Sequence, residues 1–323
     1  MKKPRILVVG SLVMDLILRT ERFPERGETV IGIDFQTAPG GKGANQAVQA
    51  ARLGSEVAMV GRVGADSFGR ELMESLQNSN VNTQYITVTE NYASAVGNVQ
   101  IETNERGTSN RIIVSPGANM RLTEQDVAFL REEITHYDMV ILQFEIPMEV
   151  NVAVARIARE KGIPVMLNTA PYVPAPVELL ENVTFISPNE HEAALMTGVT
   201  ITDEQTAREA VGILREKGVD QVIITLGSKG AAYCDGERFF ISPCVKNVAV
   251  QDPTAAGDSF VGAFCTGICA GLSVKSAMVF ANHTAALTVS RMGAQPSLPD
   301  IQEVIAYMES RGADVSGLHM LAE

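Results

Sequence analysis

No apolar run in this chain approaches the ~18 residues that cross a bilayer as a helix. The basic start, MKKPRILVVG, has a short apolar stretch ending at Gly10–Ser11, and neither a signal-peptide core nor a cleavage site follows it. Cysteine is scarce. Cys234, Cys244, Cys265 and Cys269 form no CxxC pair, and only four histidines accompany them. Cys265 and Cys269, four apart in an apolar stretch, suit buried thiols better than a metal site or a disulfide. A reducing cytoplasm is the expected compartment. Positive charge is short too: the net charge is −12. This argues against nucleic acid as a main partner and against an anionic membrane surface. It still allows a nucleotide whose phosphates meet a local site helped by a metal ion. No GxGxxG follows the first strand, which disfavours a dinucleotide-dependent oxidoreductase. Internal repeats, low-complexity tracts and disordered linkers are absent as well.

What is present is an ordinary globular composition, 46% hydrophobic and 20% charged over 323 residues. Residues 5–9, RILVV, read as a buried parallel strand ending at Gly10. A second strand-like piece covers 16–18, a polar turn 21–28, and a half-exposed strand 29–36. A glycine turn then feeds a helix that stops at Gly54; 57–60 is a strand, 61–64 its turn, and 67–78 has helical spacing. Pieces at 95–99 and 111–114 flank a loop at 103–110. With the two early strands they make a small separate sheet, laid out as a lid. From residue 122 helices and strands alternate: helices 124–133, 151–161, 190–197 and 207–217 with strands 139–143, 164–168, 185–187 and 221–225. Residues 233–241 read as a hairpin, and two or three helices close the chain. This rhythm predicts an α/β fold, a doubly wound and mostly parallel sheet flanked by helices. One domain, 1–323, is expected, with a lid sheet from about 12–38 and 93–116.

The stretch QDPTAAGDS, 251–259, carries the most chemistry. Ala255, Ala256 and Gly257 have almost no side chain, so an anion can approach their N–H groups where a helix begins. Asp258 follows at once. A carboxylate beside an anion site suits removal of a proton from a hydroxyl that attacks a phosphate. The plainer reading makes it a first-turn acid of the helix.

Open parallel sheets hold ligands beyond the C-terminal ends of their strands, and Asp15, Asn168, Asn189 and Gly227 all fall there. Residues 40–45, GGKGAN, are neither a Walker A loop nor GxGxxG. Their glycines admit backbone to a small ligand, Lys42 and Asn45 add donors, and Asp15 adds an acceptor, which together suit a polyol. Asn189 and Glu192 lie three apart at a helix start, on one face. They suit a hydrated Mg²⁺ and phosphate oxygens, or simply a capped helix. TLGSKG, 225–230, is a strand end and glycine turn suited to phosphate or nucleotide. His283 reads as a helical histidine, with stacking near a base as the other use.

Two signatures, PGGKGANQAVQAARLG and DPTAAGDSFVGAF, resemble those of the ribokinase family of ATP-dependent carbohydrate kinases, the phosphofructokinase-B group. SPNEHEAALMTG, TLGSKG and SRMGAQPSLP lie between and after them in the family's order, so the resemblance runs from about residue 6 to 307. It implies a ribokinase-like fold whose small β-sheet lid often serves as a homodimer interface. It implies ATP, Mg²⁺ and an activating K⁺, and transfer of the γ-phosphoryl group to the primary hydroxyl of a pentose, ribose first. By position, Asp258 looks like the base, and the N–H groups of Ala255, Ala256 and Gly257 like the anion hole. Asp15, Gly41, Lys42, Asn45 and Glu145 match sugar-binding positions. Asn189, Thr225, Gly227, Ser228, Gly230, Gly257 and Asn282 match nucleotide positions, with Asn282 near adenine, and Glu192 an indirect Mg²⁺ position. Asp252, Thr254, Thr288, Arg291, Gly293 and Ser297 match a K⁺ loop, several through carbonyls.

One departure stands out. The family usually carries Asn two residues before the sugar-binding Asp, and here that position is Val13. A valine offers no hydrogen bond, so an acceptor lacking or repositioning a hydroxyl (deoxyribose, a nucleoside or a sugar acid) is the alternative substrate. Pro253 is a smaller departure that stiffens its turn. A non-catalytic sugar sensor is the rival of another class, disfavoured because the acid, the anion turn and the NxxE residues are all present.

Overall fold

The structure, a computed structural model, describes residues 3–104 and 107–322. The first strand, β1 (Arg5–Val9), is buried along its apolar length, and successive side chains leave it on opposite faces. Ile6 and Val8 enter one core and Leu7 and Val9 the other. A strand covered on both faces must be apolar throughout, as RILVV is. Each of these fully buried side chains contributes about 2 kcal/mol of transfer free energy.

The chain continues through β2 (Val13–Thr20), β3 (Asp34–Gly40), α1 (Lys42–Arg52), β4 (Glu56–Gly64), α2 (Ser67–Asn78), β5 (Val81–Thr89), β6 (Ala95–Asn104) and β7 (Gly107–Ser115). It then alternates α3 (Leu130–Glu133), β8 (Met139–Leu142), α4 (Met148–Glu160), β9 (Val165–Asn168), α5 (Val177–Leu180), β10 (Phe185–Ser187), α6 (Glu190–Thr197), α7 (Glu204–Glu216) and β11 (Gln221–Thr225). The hairpin β12 (Ala231–Cys234) and β13 (Phe239–Ser242) precedes α8 (Ala256–Cys269), α9 (Val274–Val289) and α10 (Ile301–Ser310). Aspartates start several helices. Asp66, Asp203 and Asp300 accept the N–H of Gly69, Thr206 and Glu303, each cap adding ~1 kcal/mol.

The expected doubly wound sheet is observed. Nine strands run in the order β13-β12-β11-β10-β9-β8-β1-β4-β5, parallel from β11 to β5, with the β12–β13 hairpin antiparallel at one edge. One core packs α1, α8, α9 and α10 on the first face; the other packs α4, α6 and α7 on the second. The strand order reverses at β1, where a crevice opens beyond the strand ends. A separate four-stranded sheet has the order β3-β2-β6-β7.

Several sequence expectations need correction. The strand expected at 29–36 lies at Asp34–Gly40, because its register is set by pairing with β2 from Arg19↔Asp34 to Val13↔Gly40. Residues 61–64 continue β4 rather than turning, since Gly61 and Gly64 are held against the backbone of Gly10 and of 92–94, where a Cβ would clash. The loop expected at 103–110 is shorter: β6 runs to Asn104 and β7 starts at Gly107, and residues 105–106 lie outside the described residues. The single helix expected at 124–133 is a 3-10 turn at Glu124–Val127, then α3 and another 3-10 turn. The edge strand β5 was not anticipated.

Candidate active site

The turn into α1 lies against the link between β1 and β2. Gly41 has φ 91°, and a Cβ there would lie 2.7 Å from the Val13 nitrogen, so only glycine holds this contact. The approach lets Lys42 N–H donate to Glu145 Oε2 at 3.0 Å, and the Ser11 hydroxyl donates to the same oxygen. Gly40 and Gly97 leave room for the Asp15 carboxylate; a Cβ at either would come within 2.7 or 2.4 Å of its oxygens.

α8 starts at Ala255, whose φ of 59° is left-handed and which offers no side-chain cap. Its first turn meets α1, because Gly262 brings α8 close: a Cβ there would lie 3.1 Å from the Gln46 carbonyl. Asp258 is buried at this contact. Its Oδ2 accepts from Asn45 Nδ2 at 2.9 Å and its Oδ1 from Gln46 Nε2 at 3.0 Å. Of the three expected anion-binding N–H groups, that of Ala256 donates to the Pro253 carbonyl at 3.3 Å.

Acids crowd the site, and its electrostatics follow. Burial, then the charges of Glu145 and Asp258, push the Asp15 carboxyl up to about 7 from its ordinary 3.8. For the Lys42 ammonium, burial favours the neutral form, but Asp258, Glu145 and Glu192 more than offset it and hold the pKa above its ordinary value. Lys42 is the cation this acidic pocket contains.

A cavity of about 200 Å³ lies between Lys42, Asp258 and the second half of the chain, and Asp15, Gly41, Asn45 and Glu145 are not part of its lining. Lys42 and Asp258 line it together with Asn168, Asn189, Glu192 and Thr225, and with Ala255, Ala256 and Gly257. Asn189 and Glu192 form a reciprocal cap at the start of α6. Glu192 N–H donates to Asn189 Oδ1 at 2.8 Å, and Asn189 N–H to Glu192 Oε2 at 3.1 Å. The Thr169 hydroxyl donates to Glu192 Oε2 at 3.0 Å. Thr225 pairs with Asn189 as an isolated parallel bridge. The helix-start reading of Asn189 and Glu192 therefore holds, and both residues also line the cavity.

Other expected residues lie outside this cavity. Gly227 and Gly230 bracket a 3-10 turn after β11 that includes Ser228. Asn282 donates to the Ser242 hydroxyl at 3.0 Å and the Pro243 carbonyl at 3.2 Å, anchoring the segment after β13. Asp252 accepts from Thr254 N–H at 2.9 Å and from Gly293 N–H at 2.9 Å, tying two loops together. The side chains of Thr288, Arg291 and Ser297 are committed elsewhere, to the Thr284 carbonyl, to Glu303 and to the Ala294 carbonyl. His283 serves the helix: its Nδ1 meets the Val279 carbonyl at 2.7 Å and its ring the edge of Tyr307.

Sequence reading missed Ser11, Gln46, Gln143 and Thr169. Ser11 was visible only as the residue after Gly10, and Gln46 only as the neighbour of Asn45.

A buried acid under a helix start, at the strand-end crevice of a doubly wound sheet, belongs to an α/β enzyme. The chain belongs to the pfkB family of carbohydrate kinases, whose pattern matches residues 3–301. It is similar to the ribokinase of Haemophilus influenzae, 36% identical over 94% of this chain and 98% of that one. It is similar also to the ribokinase of Bacillus subtilis, 38% identical over 93% and 97%. In three dimensions it matches the Arabidopsis thaliana ribokinase solved with ribose and ATP, with TM-score 0.87 and 34% identity over 95% of this chain and 99% of the other. The family resemblance read from the two signatures is thus borne out across nearly the whole chain.

Proposed function

We propose that this carbohydrate kinase transfers the γ-phosphoryl group of ATP to the primary hydroxyl of ribose, giving ribose 5-phosphate and ADP. The observation that carries the reading is Asp258, held by two amides and facing one cavity with Lys42 and the small-residue turn at 255–257. Asp258 takes the hydroxyl proton as the sugar oxygen attacks the γ-phosphorus, and the bond to the β-phosphate oxygen breaks to release ADP. Positioning and charge stabilisation dominate such transfers. Lys42 and the N–H groups of Ala255 and Gly257 supply that stabilisation here, joined by that of Ala256 once it leaves the Pro253 carbonyl. Asp15, Gly41, Asn45 and Glu145 hold the sugar. Asn45 Oδ1 is buried without a partner, a ready acceptor for a sugar hydroxyl. Asn189, Thr225, Gly227, Ser228, Gly230 and Asn282 hold the nucleotide.

The residues fit the two ions. Among the described residues no cluster of three His, Cys, Asp or Glu could cage a metal, while Glu192 is, beside Asp258, the other buried carboxylate lining the cavity. That suits a Mg²⁺ held through water and phosphate oxygens, where it neutralises charge. For K⁺, Asp252, which accepts from Gly293 N–H and so ties the two segments, would supply oxygen ligands together with carbonyls near Thr254, Thr288, Arg291, Gly293 and Ser297.

The relatives named above favour ribose over deoxyribose, nucleosides or sugar acids. The four-stranded sheet acts as the lid. Its exposed apolar residues, with Phe35 58%, Ile112 54% and Ile113 71% accessible, support a second copy of this chain as its cover. No helix of the described residues is long and apolar enough to cross a membrane, and the cytoplasm is the proposed location.

The test is ADP release by purified protein with ATP, Mg²⁺ and K⁺, measured with ribose, 2-deoxyribose and a nucleoside. Ribose-dependent release is expected; none with ribose overturns the reading.

A further inference from the structure

Gln46 has no accessible surface, yet its carboxamide reaches the proposed reacting centre. Nε2 donates to Asp258 Oδ1 at 3.0 Å and to Asn168 Oδ1 at 3.4 Å, and Oε1 accepts from Gln143 Nε2 at 2.8 Å. The orientation of this amide is over-determined. Asn168 donates its own NH₂ to the Ser187 carbonyl at 3.0 Å, so its oxygen is what faces Gln46. The Asp258 carboxylate can only accept. Two acceptors on one side and one donor on the other leave Gln46 a single placement. The backbone of Gln143 is secured in turn, while its side-chain oxygen is buried without a hydrogen-bond partner. Asn151 Nδ2 donates to its carbonyl at 2.8 Å, and its Oε1 occupies the space a Cβ on Gly10 would need, 1.9 Å away.

Asp258 is thus gripped by two consecutive residues of α1, with different duties. Asn45 has a free buried acceptor and is shared with the sugar under the proposed function. Gln46 is sealed off and bonds only protein. We infer that Gln46 is a positioning residue: it holds the plane of the Asp258 carboxylate whatever Asn45 does, and Gln143 keeps the Gln46 amide from flipping. The inference rests on Asp258 being the base.

The experiment compares Gln46→Met, similar in length but without a donor, in the native protein and in the Asp258→Asn background. Turnover is expected to fall about tenfold or more with KM for ribose and ATP within about twofold, and the substitution should add less than about twofold loss once Asp258 is gone. Native turnover in Gln46→Met, parallel rises in KM, or the same factor lost in both backgrounds would each overturn the positioning role. Should Gln46→Met show no cooperative melting, Gln143→Met decides, because it leaves Gln46 and Asp258 in the sequence and removes only the donor that fixes the Gln46 amide. A smaller loss, about three- to tenfold and absent in the Asp258→Asn background, supports the role; unchanged turnover overturns it. Full activity of Asp258→Asn by itself would instead sink the base assignment, a separate result.

Discussion

Asn45 Nδ2 lies 2.9 Å from Asp258 Oδ2, across 213 residues of chain. Both oxygens of the acid accept from neutral amides, so its plane is fixed without a cation pressed against it. Replacing the acid by Asn removes the proton acceptor and turns an NH₂ toward an amide donor. Asp258→Asn should lower turnover by about 10²–10⁴ with little change in KM for ATP, because Asn189, Thr225 and the other proposed ATP contacts come from other elements and make no hydrogen bond to Asp258. Steady-state kinetics with ribose and ATP varied separately checks this, and near-native turnover would refute it.

Asp15 makes stability depend on pH. Its pKa is about 7 in the folded protein and 3.8 without the fold. Between those values the folded state keeps a proton that the unfolded chain releases. Asp15 therefore costs nothing in charge burial below pH 3.8 and destabilises progressively as pH rises through about 7. Asp15→Asn should gain thermal stability relative to the native protein as pH goes from 5 to 8 (conditions chosen within and above that window,). Parallel melting curves across that range would show that the carboxyl is not strained by its neighbours.

Val13 sits in β2, two residues before Asp15, buried and facing Gly97, where its γ-carbon is 3.7 Å from a Cβ placed on that glycine. It offers no hydrogen bond beside the proposed sugar site. Val13→Asn should raise the preference for ribose over 2-deoxyribose by about tenfold in kcat/KM, the worth of one polar contact of ~1.4 kcal/mol. Competing-substrate kinetics would show it, and an unchanged ratio would mean that position 13 does not face the sugar.

The proposed covering of the four-stranded sheet by a second copy predicts an oligomer. Ile113, 71% accessible on the edge strand β7, and Phe35, 58% accessible on β3, are costly to leave in water. Ile113→Asp should shift the protein from dimer to monomer in light scattering without lowering its melting temperature by more than a few degrees, since the side chain is already exposed. A native protein that is monomeric at micromolar concentration would refute the interface.

Local pattern carried much of this. Helices α2 and α6 and strands β1, β10 and β11 lie where periodicity put them, because apolar spacing and caps act within one turn or one strand. β3 did not, since its limits follow from its partner β2 rather than from its own residues. β5, VNTQYITVT, is a half-polar edge strand paired through β4 alone, with too little apolar signal to announce itself.

The order of motifs along the chain was enough to establish the family, because two glycine-rich signatures and an acid at set spacing survive as text. The grip on Asp258 was not readable that way. Gln46 and Gln143 are unremarkable in sequence and become partners only when α1 meets α8 and β8 lies beside β1. A hydrogen bond needs an approach of ~3 Å and a matched donor and acceptor, and those conditions between distant segments are created by packing alone.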